Sequence, residues 1–213
     1  DAIVRVTRSC ICGSDLHLYN GSVPDTRVGM TFGHEFTGVV EQIGEGVEKL
    51  KVGDHVLVPF NIACGKCVFC RQGLYGNCHE SNPQAVAVGG IFGYSHTAGG
   101  YDGGQAENVR VPYADVSPTV IPEGMDQDDA VMLTDVVPTG YQAAEMGGIQ
   151  PGIQHGNGHA LTGELIGGQR HLQGDERPVR GHVGALAIEV VAGAAEQVSR
   201  NVSTVAAGSE QMG

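Results

Sequence analysis

Gly33-His34-Glu35-Phe36-Thr37-Gly38-Val39-Val40-Glu41-Gln42-Ile43-Gly44, with Val47 three residues on, opens on a polar pair and continues as an apolar run. The run reads as a bent strand, and glycines at these offsets suit a backbone that turns close to another group. A His beside a Glu means little alone, because most such pairs are surface residues or satisfied core residues. It gains meaning from two distant stretches, Cys12-Gly13-Ser14-Asp15-Leu16-His17 upstream and Asp135-Val136-Val137-Pro138-Thr139-Gly140-Tyr141 downstream. Cys12, His34 and Asp135 come from three separate segments and together offer the donor set of an open three-ligand zinc site.

A second cluster is local. Cys64-x2-Cys67-x2-Cys70-x7-Cys78 places four cysteines within 15 residues. That is metal spacing, and four thiolates close a tetrahedral shell around one Zn2+ with no position left for substrate. Closed coordination implies a structural ion stapling a loop that has little core of its own; two disulfides are the alternative. The other two cysteines, Cys10 and Cys12, lie far upstream, and the pattern points to a reducing, cytoplasmic compartment. On an extended chain Cys10 and Cys12 would face the same way. The residues following Cys12 assign it the ligand role and leave Cys10 as a small buried hydrophobe.

A net charge of -12 and an isoelectric point near 5.0 exclude nucleic acid and an anionic membrane as expected partners. No apolar run approaches the ~18 residues of a membrane-spanning helix. The chain begins at Asp1 inside an alternating segment, Ile3-Val4-Arg5-Val6-Thr7, which reads as a strand cut from an upstream partner. Composition changes after Gly152: the aromatics, the cysteines and the lysines all lie before it. Residues 1–152 are therefore expected to form a zinc-binding domain, and 153–213 a Gly-rich segment with few large side chains to bury. Gly156-Asn157-Gly158-His159-Ala160-Leu161 carries two of the glycines of a dinucleotide-binding turn but no apolar strand precedes it. That segment is expected not to be the natural continuation of what precedes it, and not to bind a dinucleotide.

Between these landmarks, Val47 to Pro59 reads as a turn and strand through Gly53-Asp54, with His55 structural. Glu80 to Tyr101 reads as a Gly-rich loop. Asp128 to Leu133 reads as a short helix with acids in its first turn. Asp135 follows it and could simply cap a helix; Ser14 could likewise cap a short helix through His17.

Cys12-Gly-Ser-Asp-Leu-His17 together with Gly33-His-Glu-x2-Gly38-x5-Gly44-x2-Val47 resembles the zinc-dependent medium-chain alcohol dehydrogenases, and the four-cysteine segment strengthens the match. Gly100-Tyr-Asp-Gly-Gly-Gln-Ala-Glu107 and Leu133-Thr-Asp-Val-Val-Pro-Thr-Gly-Tyr141 look nearest the formaldehyde dehydrogenase-like branch. The resemblance covers residues 1 to about 152. It implies a mainly β, GroES-like barrel with short helices and a structural-zinc lobe, normally joined to a Rossmann domain that is not recognisable in this chain. It implies interconversion of an alcohol with an aldehyde or ketone, with hydride passing to NAD(P), and one catalytic and one structural Zn2+.

On that resemblance, Cys12, His34 and Asp135 hold the catalytic zinc. Asp135 stands where many relatives place Cys, and a carboxylate is a harder donor than a thiolate. Ser14 takes the alcohol proton and His17 passes it to solvent by way of the cofactor ribose, a task that suits an imidazole of pKa ~6.5. Asp15 orients the zinc-bound imidazole. Glu35 is either an alternate ligand or a group behind the ligands. Thr139 matches the residue that touches the nicotinamide, Phe60 lines the substrate pocket or fills the core, and Gly103 to Val111 closes the barrel. The implied partners are a small alcohol or aldehyde and further copies of the chain. The competing reading is a non-catalytic, zinc-stabilised module for binding or assembly.

Overall fold

The computed structural model describes residues 1–85 and 88–146. Strand β1 (Ala2–Ser9) is central. Its alternation buries Ala2 and Val4 and leaves Arg5 outside, as a strand with one wet face requires. It pairs antiparallel with β2 (Phe36–Ile43) on one side and with β6 (Asn108–Val111) on the other. β3 (His55–Val58) and β7 (Thr119–Val120) complete a five-stranded sheet of order β6-β1-β2-β3-β7. β4 (Asn61–Ile62) and β5 (Gly90–Ile91) form a two-stranded sheet beside it.

The two sheets share one core. Phe36 of β2 meets Phe92, just past β5, edge to face at 5.4 Å, and both rings are at most 1% exposed. Burying a ring of this size contributes about 1.5–3 kcal/mol. Val4, Val40, Val56, Val58 and Val111 fill the space around them.

The β1–β2 register shifts between Val6↔Gly38 and Arg8↔Thr37, and the bulge falls at Thr7. The Thr7 hydroxyl donates to Gln127 Oε1 at 2.6 Å, and Gln127 Nε2 donates to His55 Nδ1 at 2.9 Å. Helix α3 (Gln127–Met132) is thereby tied to the sheet, with Arg8 paired to Asp128 alongside. The helix starts where the acids predict: Asp126 caps it by accepting from Asp128 N, and Asp128 and Asp129 fill the first turn. His55 is structural, as expected.

Two expectations need correcting. The closing strand is only Asn108–Val111, because Gly103, Gly104 and Gln105 instead donate to the carbonyls of Thr31, Gly33 and Phe32 at 2.9, 2.7 and 3.0 Å. The Glu80–Tyr101 stretch is not all loop either, since it supplies β5 to pair with Asn61–Ile62.

Asp1–Pro138 belongs to one compact unit, and Thr139 begins another, of which the described part is the end of helix α4 (Val136–Met146). The expectations for residues 153–213 lie outside the described residues. No helix among the described residues is long and apolar enough to cross a membrane.

Gly38 marks the closest approach of β2 to β1: a Cβ there would lie 2.3 Å from Arg5 O and 2.5 Å from Val4 Cγ1. The carbonyl cannot swing aside without breaking the ladder. Gly38→Ala is expected to cost about 3 kcal/mol, the upper end of ordinary overpacking. Gly46→Ala, with nothing within 4 Å, should stay within about 0.5 kcal/mol. Denaturant midpoints of the two variants check this; equal midpoints would refute the close-approach account.

Candidate metal centre

β1 ends at Ser9, and the chain turns before helix α1 (Gly13–Tyr19). Cys12 is the N-cap of α1, with extended dihedrals of -87° and 159°. Its N–H donates to Asp15 Oδ2 at 2.8 Å, and Asp15 N–H donates back to Cys12 O at 3.1 Å. Cys12 therefore occupies the cap position that sequence alone allowed to Ser14, which leaves the Ser14 hydroxyl free to serve elsewhere. The two upstream thiols differ in character. Burial, then the neighbouring Glu35 carboxylate, pushes the Cys10 thiol up to about 11 and keeps it protonated. A hydrogen bond with His34 outweighs burial at Cys12 and holds its thiol below the usual range. Only Cys12 has the character of a ligand.

His34 sits at the turn into β2 and is 5% exposed. Its Nε2 lies 3.3 Å from Asp135 Oδ2 and 3.5 Å from Ser14 Oγ. Its Nδ1 faces Asp15 Oδ1 at 3.7 Å, too long for a hydrogen bond, and both atoms are buried without a hydrogen-bond partner. Burial depresses the imidazole, yet hydrogen bonds with Asp135 and Cys12 and the charge of Asp15 overcome it and lift the group to about 10. Asp15 and Glu35 are both pushed above the ordinary carboxylate range, burial being the largest cause for each.

Acids thus outnumber bases in a desolvated pocket, which is the electrostatic signature of a cation site. Cys12, Glu35 and His34 each present one donor atom, all within 4.8 Å of one another. The 3.3 Å between His34 Nε2 and Asp135 Oδ2 is close to the edge of a zinc tetrahedron, about 3.4 Å for bonds of ~2.0–2.1 Å. The group whose donors fit Zn2+ is Cys12, His34 and Glu35, while Asp135, the expected third ligand, approaches His34 Nε2 without belonging to that group.

Asp135 is positioned from behind. Thr134 is 1% exposed, its hydroxyl donates to Val131 O at 2.6 Å, and its carbonyl accepts from Phe60 N–H at 3.3 Å. The Phe60 ring meets His34 edge to face at 6.5 Å, so Phe60 borders the centre rather than filling the core. His17 is exposed on α1. Thr139 is exposed in the first turns of α4, within the second unit.

One residue escaped the sequence reading. Gln105 Nε2 donates to Asp15 Oδ2 at 3.0 Å and to Cys10 O at 3.2 Å. Its only sequence signal was its place in the Gly100–Glu107 stretch, which carried a resemblance and no role.

The second cluster assembles as its spacing predicts. Cys64, Cys67, Cys70 and Cys78 bring their sulfurs within 4.8 Å of one another. Cys64–Cys70 and Cys67–Cys78 are each 4.0 Å apart, against about 2.05 Å for a disulfide, and all six cysteines are free. A zinc tetrahedron with ~2.3 Å bonds has edges of about 3.8 Å. Backbone N–H groups of Cys64, Lys66 and Cys67 already point at these sulfurs, at 3.2, 3.4 and 3.3 Å. Hydrogen bonds from the Cys70 backbone lead in holding the Cys67 thiol down to about 6. The lobe's own core is these thiols with Ala63, and Tyr113 and Val116 packed against them.

A mainly β domain with an open Cys–His–carboxylate group and a closed four-cysteine cluster defines a class: domains that pair two metal-sized donor sets of different kind. Residues 1–123 match the alcohol dehydrogenase GroES-like domain. The chain belongs to that family. It is 45% identical over 154 residues to an uncharacterized zinc-type alcohol dehydrogenase-like protein of Bacillus subtilis, the match taking in 71% of this chain and 40% of that one. It is 40% identical over 190 residues to a glutathione-independent formaldehyde dehydrogenase of Pseudomonas aeruginosa, covering 84% of this chain and 47% of the relative. That second match is long enough to run past Gly152. Among solved structures, an alcohol dehydrogenase of a Thermus species aligns with a TM-score of 0.65 and 41% identity over 71% of this chain and 41% of its own. The chain spans less than half the length of the curated relatives it matches.

Removing a donor from the closed cluster tests its structural role. Cys67→Ser is expected to lower stability markedly, as loss of a metal or comparable anchor does. Thermal unfolding with and without chelator checks it: the chelator should destabilise the parent strongly and the variant hardly at all. An unmoved parent midpoint would show that the thiols hold no ion.

Proposed function

We propose that this chain is the zinc-binding part of an oxidoreductase that interconverts an alcohol with an aldehyde or ketone, with NAD(P) as hydride carrier. The observation that carries the reading is the convergence on His34 Nε2 of a carboxylate, Asp135, and a hydroxyl, Ser14, at 3.3 and 3.5 Å. A purely structural site needs ligands, whereas a hydroxyl beside an open site is what proton transfer needs. Cys12, His34 and Asp135 would hold the catalytic zinc, with Glu35 the alternate ligand, and Cys64, Cys67, Cys70 and Cys78 the structural one. When bound, zinc supplies a Lewis acid that polarises a substrate oxygen, and a nicotinamide supplies the hydride acceptor. Ser14 accepts the alcohol proton, and His17, exposed on α1, passes it outward. Asp15 holds the imidazole by facing its Nδ1. Phe60 gives the entrance an apolar wall, Thr139 supports the nicotinamide, and the substrate is a small molecule. Reduced thiolates at both centres suit a cytoplasmic setting, and homo-oligomerisation is part of the same reading.

A second reading, a zinc-stabilised binding module, is favoured for this stretch of chain by one feature. In the sequence, no apolar run of the kind that precedes a dinucleotide-binding turn stands before Gly156 to Leu161. Titration of NAD+ against the purified chain separates the two, with tight binding excluding the module.

Elemental analysis of the folded chain should find two zinc ions, and one in Asp135→Ala with the fold retained. Two ions kept in Asp135→Ala but lost to one in Glu35→Ala would transfer the ligand role to Glu35. One ion in both the parent and Asp135→Ala would remove the catalytic site.

In the whole enzyme, Ser14→Ala should slow hydride transfer ~10²–10⁴-fold, the usual cost of a positioned proton-transfer group, with cofactor affinity little changed. The defect should shrink as pH rises and the alcohol ionises without help. Unchanged turnover at neutral pH would leave Ser14 without a catalytic role.

A further inference from the structure

Resting on the zinc reading above, we propose that Gln105 is a positioning residue for the catalytic metal, acting through Asp15 on His34. The amide orientation is unambiguous. Both groups within its reach, Asp15 Oδ2 at 3.0 Å and Cys10 O at 3.2 Å, accept hydrogen bonds, so the NH2 must face them. Asp15 Oδ2 also accepts from Cys12 N–H at 2.8 Å. With Oδ2 held by two donors, the carboxylate cannot turn about its terminal torsion, and Oδ1 is left aimed at His34 Nδ1. Neither of those last two atoms has another partner. Gln105 thus shares with the Cys12 N–H the task of fixing which carboxylate oxygen faces the imidazole.

The backbone fixes Gln105 itself. Gly103, Gly104 and Gln105 donate in succession to Thr31, Gly33 and Phe32, the residues that lead into His34. The approach is so close that a Cβ on Gly33 would lie 2.6 Å from Gln105 Cγ and one on Gly103 only 2.2 Å from Gly33 O. Gly33 also has φ +99°, a conformation that suits glycine. Gln105 and His34 therefore ride on adjoining, mutually registered segments. One side chain spans Cys10, Asp15 and Gly33, so it reports on both the strand end and the helix that frame the site.

Partners behind a metal-bound His typically change metal affinity ~10–100-fold when removed. Gln105→Leu, which keeps bulk and loses both donors, should weaken Zn2+ at the catalytic centre by about that factor. The probe is Zn2+ competition against a chromophoric chelator. The tetrathiolate ion serves as internal control and should bind as in the parent, showing that the fold is kept. Gln105→Met does the same job if the branched Leu does not fold.

A merely structural role is excluded by a cycle with Asp15→Asn. If Gln105 acts through Asp15, adding Gln105→Leu to Asp15→Asn should cost less than about a further twofold. Weakened affinity with that loss of additivity supports the assignment. Unchanged affinity in the single variants, or full additivity in the double, overturns it while leaving the zinc reading intact. A parent chain that binds only the tetrathiolate ion overturns both.

Discussion

A buried imidazole approached by three carboxyl groups and a thiol, drawn from three separate stretches of the chain, constrains everything near it. His34, Asp15 and Glu35 are all about 5% exposed, and none of these groups would be stable there unpartnered. Desolvation raises Asp15 and Glu35, while hydrogen bonds and neighbouring charge raise His34. Those shifts share one sense: the pocket lacks positive charge. A protonated His34 meets part of the demand, and a divalent cation meets it more completely. The fold must therefore hold acids close together against their mutual repulsion, and its hydrogen bonds are placed to do so.

The restraints run through the backbone rather than through bulky packing. The bulge at Thr7 turns a hydroxyl towards Gln127, and Gln127 ties α3 to His55 on β3. From α3 the chain passes through the buried Thr134, pinned by Phe60 N–H, to Asp135. On the other side, the Cys12–Asp15 bonds at the start of α1 fix the thiol and the orienting carboxylate as one unit. Each ligand is thus one or two covalent steps from a residue whose polar groups are already satisfied, which preorganises the site before any ion arrives.

What was legible in the sequence follows the range of the interactions. The alternation of β1, the Gly33–Gly44 run and the acidic start of α3 are short-range signals, and they predict the elements found at Ala2–Ser9, Phe36–Ile43 and Gln127–Met132. The four-cysteine spacing foretold a cluster that does assemble. The two-residue strands β4, β5 and β7 were invisible, because each exists only by pairing with a partner far along the chain and is too short to show a period. The shortened β6 was misjudged for a related reason: Gly103 to Gln105 bond to the Thr31–Gly33 segment, which no local pattern announces. Gln105 went unread because a glutamine has no spacing rule; its importance lies in having two acceptors within reach. The place of Glu35 was half visible, since it was left open between two roles and its carboxylate does reach the ligand group.

The two centres also differ in how their assembly is encoded. The tetrathiolate draws its ligands from Cys64 to Cys78, so closing it orders one short loop. The other centre must bring Cys12 and Asp135 together across most of the domain. Loop-closure entropy grows by only ~0.6 kcal/mol per doubling of length, so the longer span costs about 2 kcal/mol more. That difference is small beside the cost of gathering Asp15, Glu35 and Asp135 in a dry pocket. Distance along the chain is therefore not what makes the second centre demanding. The demand is electrostatic, and it explains why the local cluster can rely on four thiols and nearby N–H groups. The distant one needs a bulged strand, two helix starts and a glutamine to hold its acids in place.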